Sequence, residues 1–170
     1  MKKPQLQYLR LEKQAPHHWA FNRPPECEFF DRRLDKAEDF ERDREFQKAI
    51  QVCIEIVKVC PEYLPALNKL GLLFKEQGDL DRAINMFESA VGAGVACLPD
   101  DFEIGEDLIP WYWQDNRAFL RACEHLGVTH LEKALGFFEY SLDINPGYHG
   151  IADLVSNLRQ MCGFEDEQDE

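Results

Sequence analysis

The chain has 170 residues, of which 45% are hydrophobic and 30% charged, a composition typical of a globular domain. Its formal net charge of −13 argues against general binding to nucleic acid, because that binding relies on Lys and Arg side chains that neutralise phosphates. No apolar stretch is long enough for a membrane span, and Met1 to Gln14 lack the apolar core of a signal peptide. We therefore expect a cytoplasmic protein with no nucleic-acid or membrane partner.

The first segment in chain order, residues 1–28, is rich in proline and basic near its start. Its prolines are Pro4, Pro16, Pro24 and Pro25. Because the residue before a proline is disfavoured in a helix, this segment predicts an extended basic arm, part of which packs on the body through apolar side chains. A helical turn at Leu6 to Leu11 with a disordered flank is the alternative.

The next segment sets the pattern for the helical body. Gly71 and Ala83 are small residues on either side of a turn that contains Gly78. Apolar residues accompany them at helical spacing, namely Leu70, Phe74, Leu80, Phe87 and Ala90. This arrangement predicts an antiparallel pair of helices that cross closely at the two small residues.

The same pattern recurs on both sides of this helix pair. A shift of 34 residues upstream places Ala37, Phe40, Phe46, Ala49 and Cys53 at the positions of Gly71, Phe74, Leu80, Ala83 and Phe87. Downstream the shift is 51 residues, and the matching residues are Ala122, His125, Leu131, Ala134 and Phe138. We predict repeats at about 30–63, 64–97 and 115–148, with an insertion at 98–114 that accounts for the extra length.

The last part of the chain predicts one more helix. Apolar residues lie on one face of it, and they are Ile151, Leu154, Val155, Leu158 and Met161. An amphipathic helix of this kind can cover the open apolar side of a stack of hairpins, so we predict a capping helix at 150–162. The remaining residues, 163–170, form an acidic tail.

The spacing of small and aromatic residues resembles the tetratricopeptide repeat (TPR) over about residues 30–162. The third repeat and its flanks are similar to a poorly characterised bacterial TPR-containing subfamily with an acidic, aromatic insertion before that repeat. The matching positions are Asn116, Arg117, Ala118, Phe119, Leu120, Arg121 and Ala122, followed by Asn145, Pro146, Gly150 and Ile151. The resemblance implies an all-α fold, a right-handed TPR-like helical-hairpin solenoid of three repeats with a C-terminal capping helix.

A TPR stack implies a concave groove lined by the first helix of each repeat. By register, the groove positions are Asp31, Leu34, Glu38, Glu41, Asn68, Leu72, Lys75, Asn116, Phe119 and Cys123. Leu34 and Glu38 replace the Lys and Asn with which some TPR domains clamp a C-terminal carboxylate, so binding of chaperone tails is disfavoured. The groove is acidic at one end and apolar at the other, which favours a basic, extended peptide or protein segment as the partner.

The insertion is the least generic segment of the chain. It holds five acidic residues and the cluster Pro110, Trp111, Tyr112 and Trp113. We expect Arg117 and Arg121 to anchor these aromatic residues by salt bridges or by stacking on their rings. The basic arm could cover the acidic groove of its own or of a neighbouring chain.

No complete catalytic or metal-binding motif occurs in the sequence. His130-x-Glu132 lacks the downstream Pro-Cys-x-x-Cys of zinc deaminases, and the six cysteines include no Cys-x-x-Cys pair. We therefore predict a non-catalytic protein-interaction module with no cofactor and no metal. The alternative is a structural protein that forms a homodimer through the insertion or the arm, and an enzyme with a site beneath the insertion is a third, disfavoured possibility.

Overall fold

The computed structural model of the chain describes residues 9–23, 27–104, 106–144 and 149–163. Two strands come first, β1 (Arg10–Ala15) and β2 (His18–Asn22). Helices follow in the order α1 (Glu28–Arg42), α2 (Phe46–Val59), α3 (Leu64–Glu76), α4 (Leu80–Val95), α5 (Gln114–Ile144) and α6 (His149–Cys162). This part of the chain is mostly helical with a small two-stranded sheet, so the prediction of an all-α fold is wrong for the N-terminal segment.

Some predicted features fall on residues that the structure leaves out. The start of the arm at 1–8, the Asn145-Pro146 motif and the acidic tail after Gly163 lie outside the described residues. No helix in the described ranges combines the length and the apolar character that crossing a lipid bilayer requires. The chain divides into two compact units, residues 1–124 and 125–170.

In the first unit, α1 with α2 and α3 with α4 form two hairpins with the same turn. Arg44 in the first turn has a φ of 60°, and Gly78 in the second has a φ of 76°. The residue after each of them donates its backbone N–H to the carbonyl oxygen of Phe40 at 2.8 Å and of Phe74 at 2.9 Å, respectively. The two turns are 34 residues apart, so the local structure repeats at the period that the sequence predicted.

The small residues of these hairpins lie where the helices approach each other. Ala37, Ala49 and Ala83 have no exposed surface, and each helix from α1 to α4 packs on the next. A Cβ atom on Gly71 would lie 2.3 Å from Cε1 of Phe87, closer than two carbon atoms can approach. The predicted close crossing of α3 and α4 is therefore confirmed, and it requires glycine on α3.

The predicted third repeat is wrong as a hairpin, because α5 continues without a break from Gln114 to Ile144. A shift of 51 residues places Thr129 at the position of the turn residue Gly78. A β-branched residue rarely adopts the positive φ that this turn needs. Thr129 stays in the helix instead, and its hydroxyl donates to the carbonyl oxygen of His125 at 2.6 Å.

The second unit pairs the later part of α5 with α6. Leu135, Val155 and Leu158 form a small apolar cluster on which Leu131 packs. Arg159 on α6 donates to Glu139 on α5 at 2.8 Å. The apolar face of α6 predicted from the sequence thus supplies two members of this cluster.

The described part of the N-terminal arm is extended, as predicted, but it folds back on itself as a β-hairpin. Strand β1 pairs antiparallel with β2, with Leu11 opposite Phe21, and Arg10 and Leu11 lie in a strand rather than in the alternative helical turn. His17 in the turn has a φ of 57°. Phe21 joins a core with residues of α3, α4 and α5, which are Leu64, Leu67, Ala90, Phe119 and Ala122. The expected packing of the arm on the body is confirmed.

Candidate protein-interaction surface

The N-terminal hairpin binds α5 through the side-chain amide of Asn116, one of the predicted groove residues. Asn116 has no exposed surface, and its Oδ1 accepts a hydrogen bond from the backbone N–H of Phe21 at 2.7 Å. Its Nδ2 donates to the carbonyl oxygens of Trp19 at 3.0 Å and Pro110 at 2.9 Å. The amide thus pairs with one edge of β2 in the way that a neighbouring strand would.

Two further groove residues are also buried in internal contacts. Phe119 packs on Phe21, with the ring centroids 5.2 Å apart, and it lies against Gly94 of α4. Asn68 donates from Nδ2 to the carbonyl oxygen of Ala118 at 2.7 Å. The apolar end of the predicted groove is therefore filled by the hairpin and by α5.

The acidic end of the groove contains Arg23, the residue that follows β2. Its Nε lies 2.6 Å from Oδ1 of Asp115, and its Nη1 lies 2.9 Å from Oδ1 of Asp31. Its guanidinium lies over the ring of Tyr63 at 5.6 Å, and the Tyr63 hydroxyl donates to Asp31. Arg23 thus contacts one acidic groove residue, Asp31, whereas covering of the whole acidic groove by the basic arm stays a prediction.

Burial shifts the pKa values in this charged cluster. It raises the pKa of Asp115 above its ordinary value, and the attraction of Arg23 opposes that shift. Burial alone would lower the pKa of Arg23, but Asp115 and Asp31 raise it above its ordinary value. Arg23 therefore stays charged and compensates two carboxylates that it brings close together.

The remaining groove positions differ in how far they reach solvent. Lys69 of α3 contacts Glu41 at 2.7 Å and Glu38 at 3.7 Å. Leu34 packs on a buried apolar cluster formed by residues of α1, α2 and the start of α3. Leu72 and Lys75 are half-buried, and Cys123 is exposed. Most of the predicted groove residues are therefore buried or half-buried in contacts within the unit, and they do not line an open groove.

The insertion is joined to the hairpin by backbone hydrogen bonds. Leu108 donates its N–H to the carbonyl oxygen of His17 at 2.8 Å and accepts from the N–H of Trp19 at 2.9 Å. The Asp107 side chain accepts from the N–H of Glu103 at 3.0 Å and lies 3.1 Å from Nδ1 of His17. The hydrogen bond from Glu103 holds the pKa of Asp107 below its ordinary value. These contacts hold Asp107 and Leu108 of the insertion against the hairpin.

The aromatic half of the insertion is held by the two arginines that the sequence singled out. The guanidinium of Arg121 lies 5.6 Å from the centroid of the Trp111 ring, as the stacking prediction expected. Arg117 donates from Nε to the carbonyl oxygen of Trp111 at 3.2 Å, rather than to a ring or a carboxylate. Both contacts fix the segment at the start of α5.

The same segment exposes large apolar side chains. The exposed fractions are 90% for Ile104, 53% for Leu108, 49% for Trp111, 66% for Tyr112 and 39% for Trp113. We call these five residues the insertion surface. The acidic residues of the segment outside Asp107 are exposed, and they are Asp100, Asp101, Glu103 and Glu106. The segment 98–114 contains no Lys or Arg.

Sequence reasoning missed four residues that join the hairpin to the body, namely His17, Arg23, Asp107 and Asp115. A signal for the hairpin was present, because Trp19 and Phe21 alternate with smaller or polar residues after the turn at Pro16, as side chains on one face of a strand do. The pairing of Arg23 with Asp115 had no such signal, since the two residues lie 92 positions apart in the chain.

Within the described ranges, no group of three or more His, Cys, Asp or Glu side chains could hold a metal ion. No protein-family model matches the chain, and no curated protein matches it. The chemistry of the insertion surface is that of an apolar, aromatic contact area with exposed carboxylates in the same segment.

Proposed function

We propose that this chain is a cytoplasmic, non-catalytic protein-interaction module, and that it binds a protein partner through the insertion surface. One observation carries the proposal: five large apolar side chains are exposed within the ten residues from Ile104 to Trp113. We further propose that the helical body is a right-handed TPR-like solenoid. The repeated turn at Arg44 and Gly78 supports this relationship.

Large apolar side chains that are exposed together in one place on a protein commonly mark a contact with another molecule. Trp and Tyr are also the residues that most often dominate the binding energy of protein interfaces. Leu108, Asp107 and Trp111 of the insertion make hydrogen bonds within the chain that need no partner. A surface that is already ordered loses little conformational entropy on binding, so these contacts favour a binding role.

The charge of the segment points to the chemistry of the partner. The segment 98–114 has exposed carboxylates and no Lys or Arg of its own, and the only arginines described in contact with its aromatic residues, Arg117 and Arg121, both lie at Trp111. A basic, extended segment of a partner protein matches this surface, because its cations complement the carboxylates while its apolar side chains cover the rings. Charge of this kind mainly raises the association rate and selects among partners.

The insertion surface is favoured over the groove as the place where the partner binds. A partner in the groove would have to remove Phe21 from its core and replace the hydrogen bonds that Asn116 makes to β2. The insertion surface can be covered without breaking any of these contacts.

The second candidate function is structural. The same exposed side chains could cover one another in a homodimer, since a symmetric pair of chains buries two copies of one patch. Self-association through the N-terminal arm is the other form of this alternative, and the exposed side chains of β1 favour it less because all but Ala15 are polar.

Selection of displayed random peptides on the full chain tests the proposal. A variant with Trp111→Ser, Tyr112→Ser and Trp113→Ser removes the aromatic part of the surface. A matched control carries Phe29→Ser and Val59→Ser, which replace apolar residues of α1 and α2 with similar exposure, 61% and 56%. We expect peptide families that bind the wild type and the control but not the triple variant.

Sedimentation of the wild type and the triple variant at micromolar concentration decides between the two candidates. A dimer that dissociates only in the triple variant would favour the structural role. The interaction proposal fails if no peptide family is enriched, or if the enriched families bind the triple variant as well as the wild type.

A further inference from the structure

Tyr112 and Trp113 form an exposed aromatic pair at the end of the insertion. Their ring centroids lie 5.8 Å apart with an angle of 40° between the ring planes. Tyr112 is 66% exposed and Trp113 is 39% exposed, whereas the neighbouring Trp111 already carries the guanidinium of Arg121. The pair therefore offers ring surface to a molecule from outside.

The chain itself shows which groups it places on such rings. They are cations of both kinds: Arg121 lies over Trp111 at 5.6 Å and Arg23 over Tyr63 at the same distance, and Lys13 lies over Trp19 at 5.1 Å. Arg23 also contacts the carboxylates of Asp31 and Asp115, so one guanidinium meets an aromatic face and acidic side chains together. Aromatic faces attract cations because the ring quadrupole is negative above and below the ring plane.

The insertion also contains aromatic rings and acidic side chains, but it has no basic residue of its own. Exposed carboxylates at Asp100, Asp101, Glu103 and Glu106 lie in the same segment of the chain as the exposed rings of Tyr112 and Trp113. We propose that an arginine side chain of the partner segment stacks on the Tyr112 and Trp113 pair. This inference rests on the proposed function, since it names the anchoring group of the partner on the insertion surface.

Arginine fits the pair better than lysine does. A guanidinium is planar, so it can stack on a ring while its N–H groups, which lie in its plane, donate to carboxylates at the edge. A lysine ammonium is a compact and strongly hydrated charge, and it must lose water to reach the ring face. The surface should therefore distinguish two cations of equal charge.

The test uses the full chain and two synthetic peptides. Both peptides alternate a cation and a leucine with serine spacers, and they differ only in whether the cation is arginine or lysine. Binding is measured by tryptophan fluorescence and by the anisotropy of a dye on the peptide. We expect the arginine peptide to bind about threefold to thirtyfold more tightly than the lysine peptide.

Protein variants locate the contact. Tyr112→Leu with Trp113→Leu keeps apolar side chains but removes the rings, and it should weaken binding of the arginine peptide by about threefold to thirtyfold. Tyr112→Phe with Trp113→Phe keeps the rings and should bind nearly as the wild type does. Phe29→Leu is the control, because Phe29 is an exposed aromatic residue outside the insertion.

The inference is overturned if the two peptides bind equally, if the leucine variant binds the arginine peptide as the wild type does, or if neither peptide binds. The peptide selection tests the proposed function separately from the arginine anchor. Displayed peptides that depend on the aromatic residues but contain no arginine would support the interaction surface and contradict the arginine anchor.

Discussion

Oδ1 of Asn116 accepts a hydrogen bond from the backbone N–H of Phe21 at 2.7 Å, and neither residue is more than 3% exposed. The bond joins the N-terminal hairpin to the first turns of α5 across 95 positions of the chain. A second bond from the same amide reaches the carbonyl oxygen of Trp19. Asn116 therefore fixes the register of β2 on the helical body.

Replacing Asn116 by leucine should destabilise the first unit. The substitution keeps a similar volume but leaves the N–H of Phe21 and the carbonyl of Trp19 buried without a partner. An unsatisfied buried backbone group costs about 1–3 kcal/mol, so we expect a loss of about 2–4 kcal/mol in the free energy of unfolding. Urea denaturation followed by tryptophan fluorescence measures it. Asn85→Leu, on the exposed face of α4, is the control, and equal stability of the two variants would show that the bonds do not matter.

The helical hairpins could be predicted from the sequence because their determinants are local. Gly71 and Ala83 lie within one helix pair, and the turn residue Gly78 lies between them, so their spacing alone carries the prediction. Arg44 shows that the turn forms without glycine when the flanking helices pack well, since it adopts a φ of 60°. The turn therefore repeats after 34 residues even though arginine occupies the position that glycine has in the second hairpin.

The rest of the fold depends on contacts between distant residues. The prediction of a third hairpin failed at Thr129. The apolar pattern continues past this position, but a β-branched residue stands where the turn needs a residue with positive φ. Asn116 and Phe119 lie on the predicted face of their helix, yet the hairpin covers both. The spacing of residues in the sequence predicts which face of a helix a side chain lies on. Whether that face is exposed to solvent or covered depends on how a distant segment of the chain packs.

The contact between Gly94 and Phe119 predicts opposite effects for two glycines of α4. A Cβ atom on Gly94 would lie 2.2 Å from Cδ2 of Phe119, whereas nothing lies within 4 Å of the corresponding position on Gly92. Gly94→Ala should therefore cost about 1–3 kcal/mol because the buried ring has to move. Gly92→Ala should instead gain about 0.5–1 kcal/mol, since alanine favours a helix. Thermal and urea unfolding compare the two, and a stabilising Gly94→Ala would contradict the close contact.

Asp107 should contribute to stability in a pH-dependent way. Its pKa is lowered in the folded protein, chiefly by the hydrogen bond from the N–H of Glu103. A carboxylate with a lowered folded pKa contributes stability that is fully present above its unfolded pKa of about 3.9. That contribution is lost as the pH falls through the lower, folded pKa. The stability advantage of the wild type over Asp107→Asn should thus shrink between about pH 5 and pH 2.

Urea denaturation at several pH values and constant ionic strength measures this difference. Asp100→Asn, which neutralises an exposed carboxylate of the same segment, is the comparison variant. A difference between wild type and Asp107→Asn that stays constant down to about pH 2 would contradict the role of the Glu103 hydrogen bond.

Arg117 and Arg121 should protect the aromatic segment from proteolysis. Arg117 donates to the carbonyl oxygen of Trp111, and Arg121 lies over its ring. Each contact is worth about 0.5–1 kcal/mol, so removing both by substitution with alanine should favour local opening by about 1–2 kcal/mol. Chymotrypsin cleaves after aromatic residues, and its rate follows the population of the open segment when opening is fast. Cleavage at Trp111 to Trp113 should therefore become about fivefold to thirtyfold faster.

The matched control for this pair is Arg42→Ala, which removes an exposed ion pair with Asp39 on α1. Mass spectrometry of the early fragments assigns the site of cleavage, and urea denaturation checks that global stability has changed by no more than the local contacts explain. Faster cleavage confined to the insertion means that the two arginines hold the aromatic residues in position before a partner binds. If the double variant is cleaved at the wild-type rate, the order of the segment must come from Asn116, through its bond to Pro110, and from the backbone bonds of Leu108. The rings of Tyr112 and Trp113 would then be positioned from the hairpin side rather than from α5.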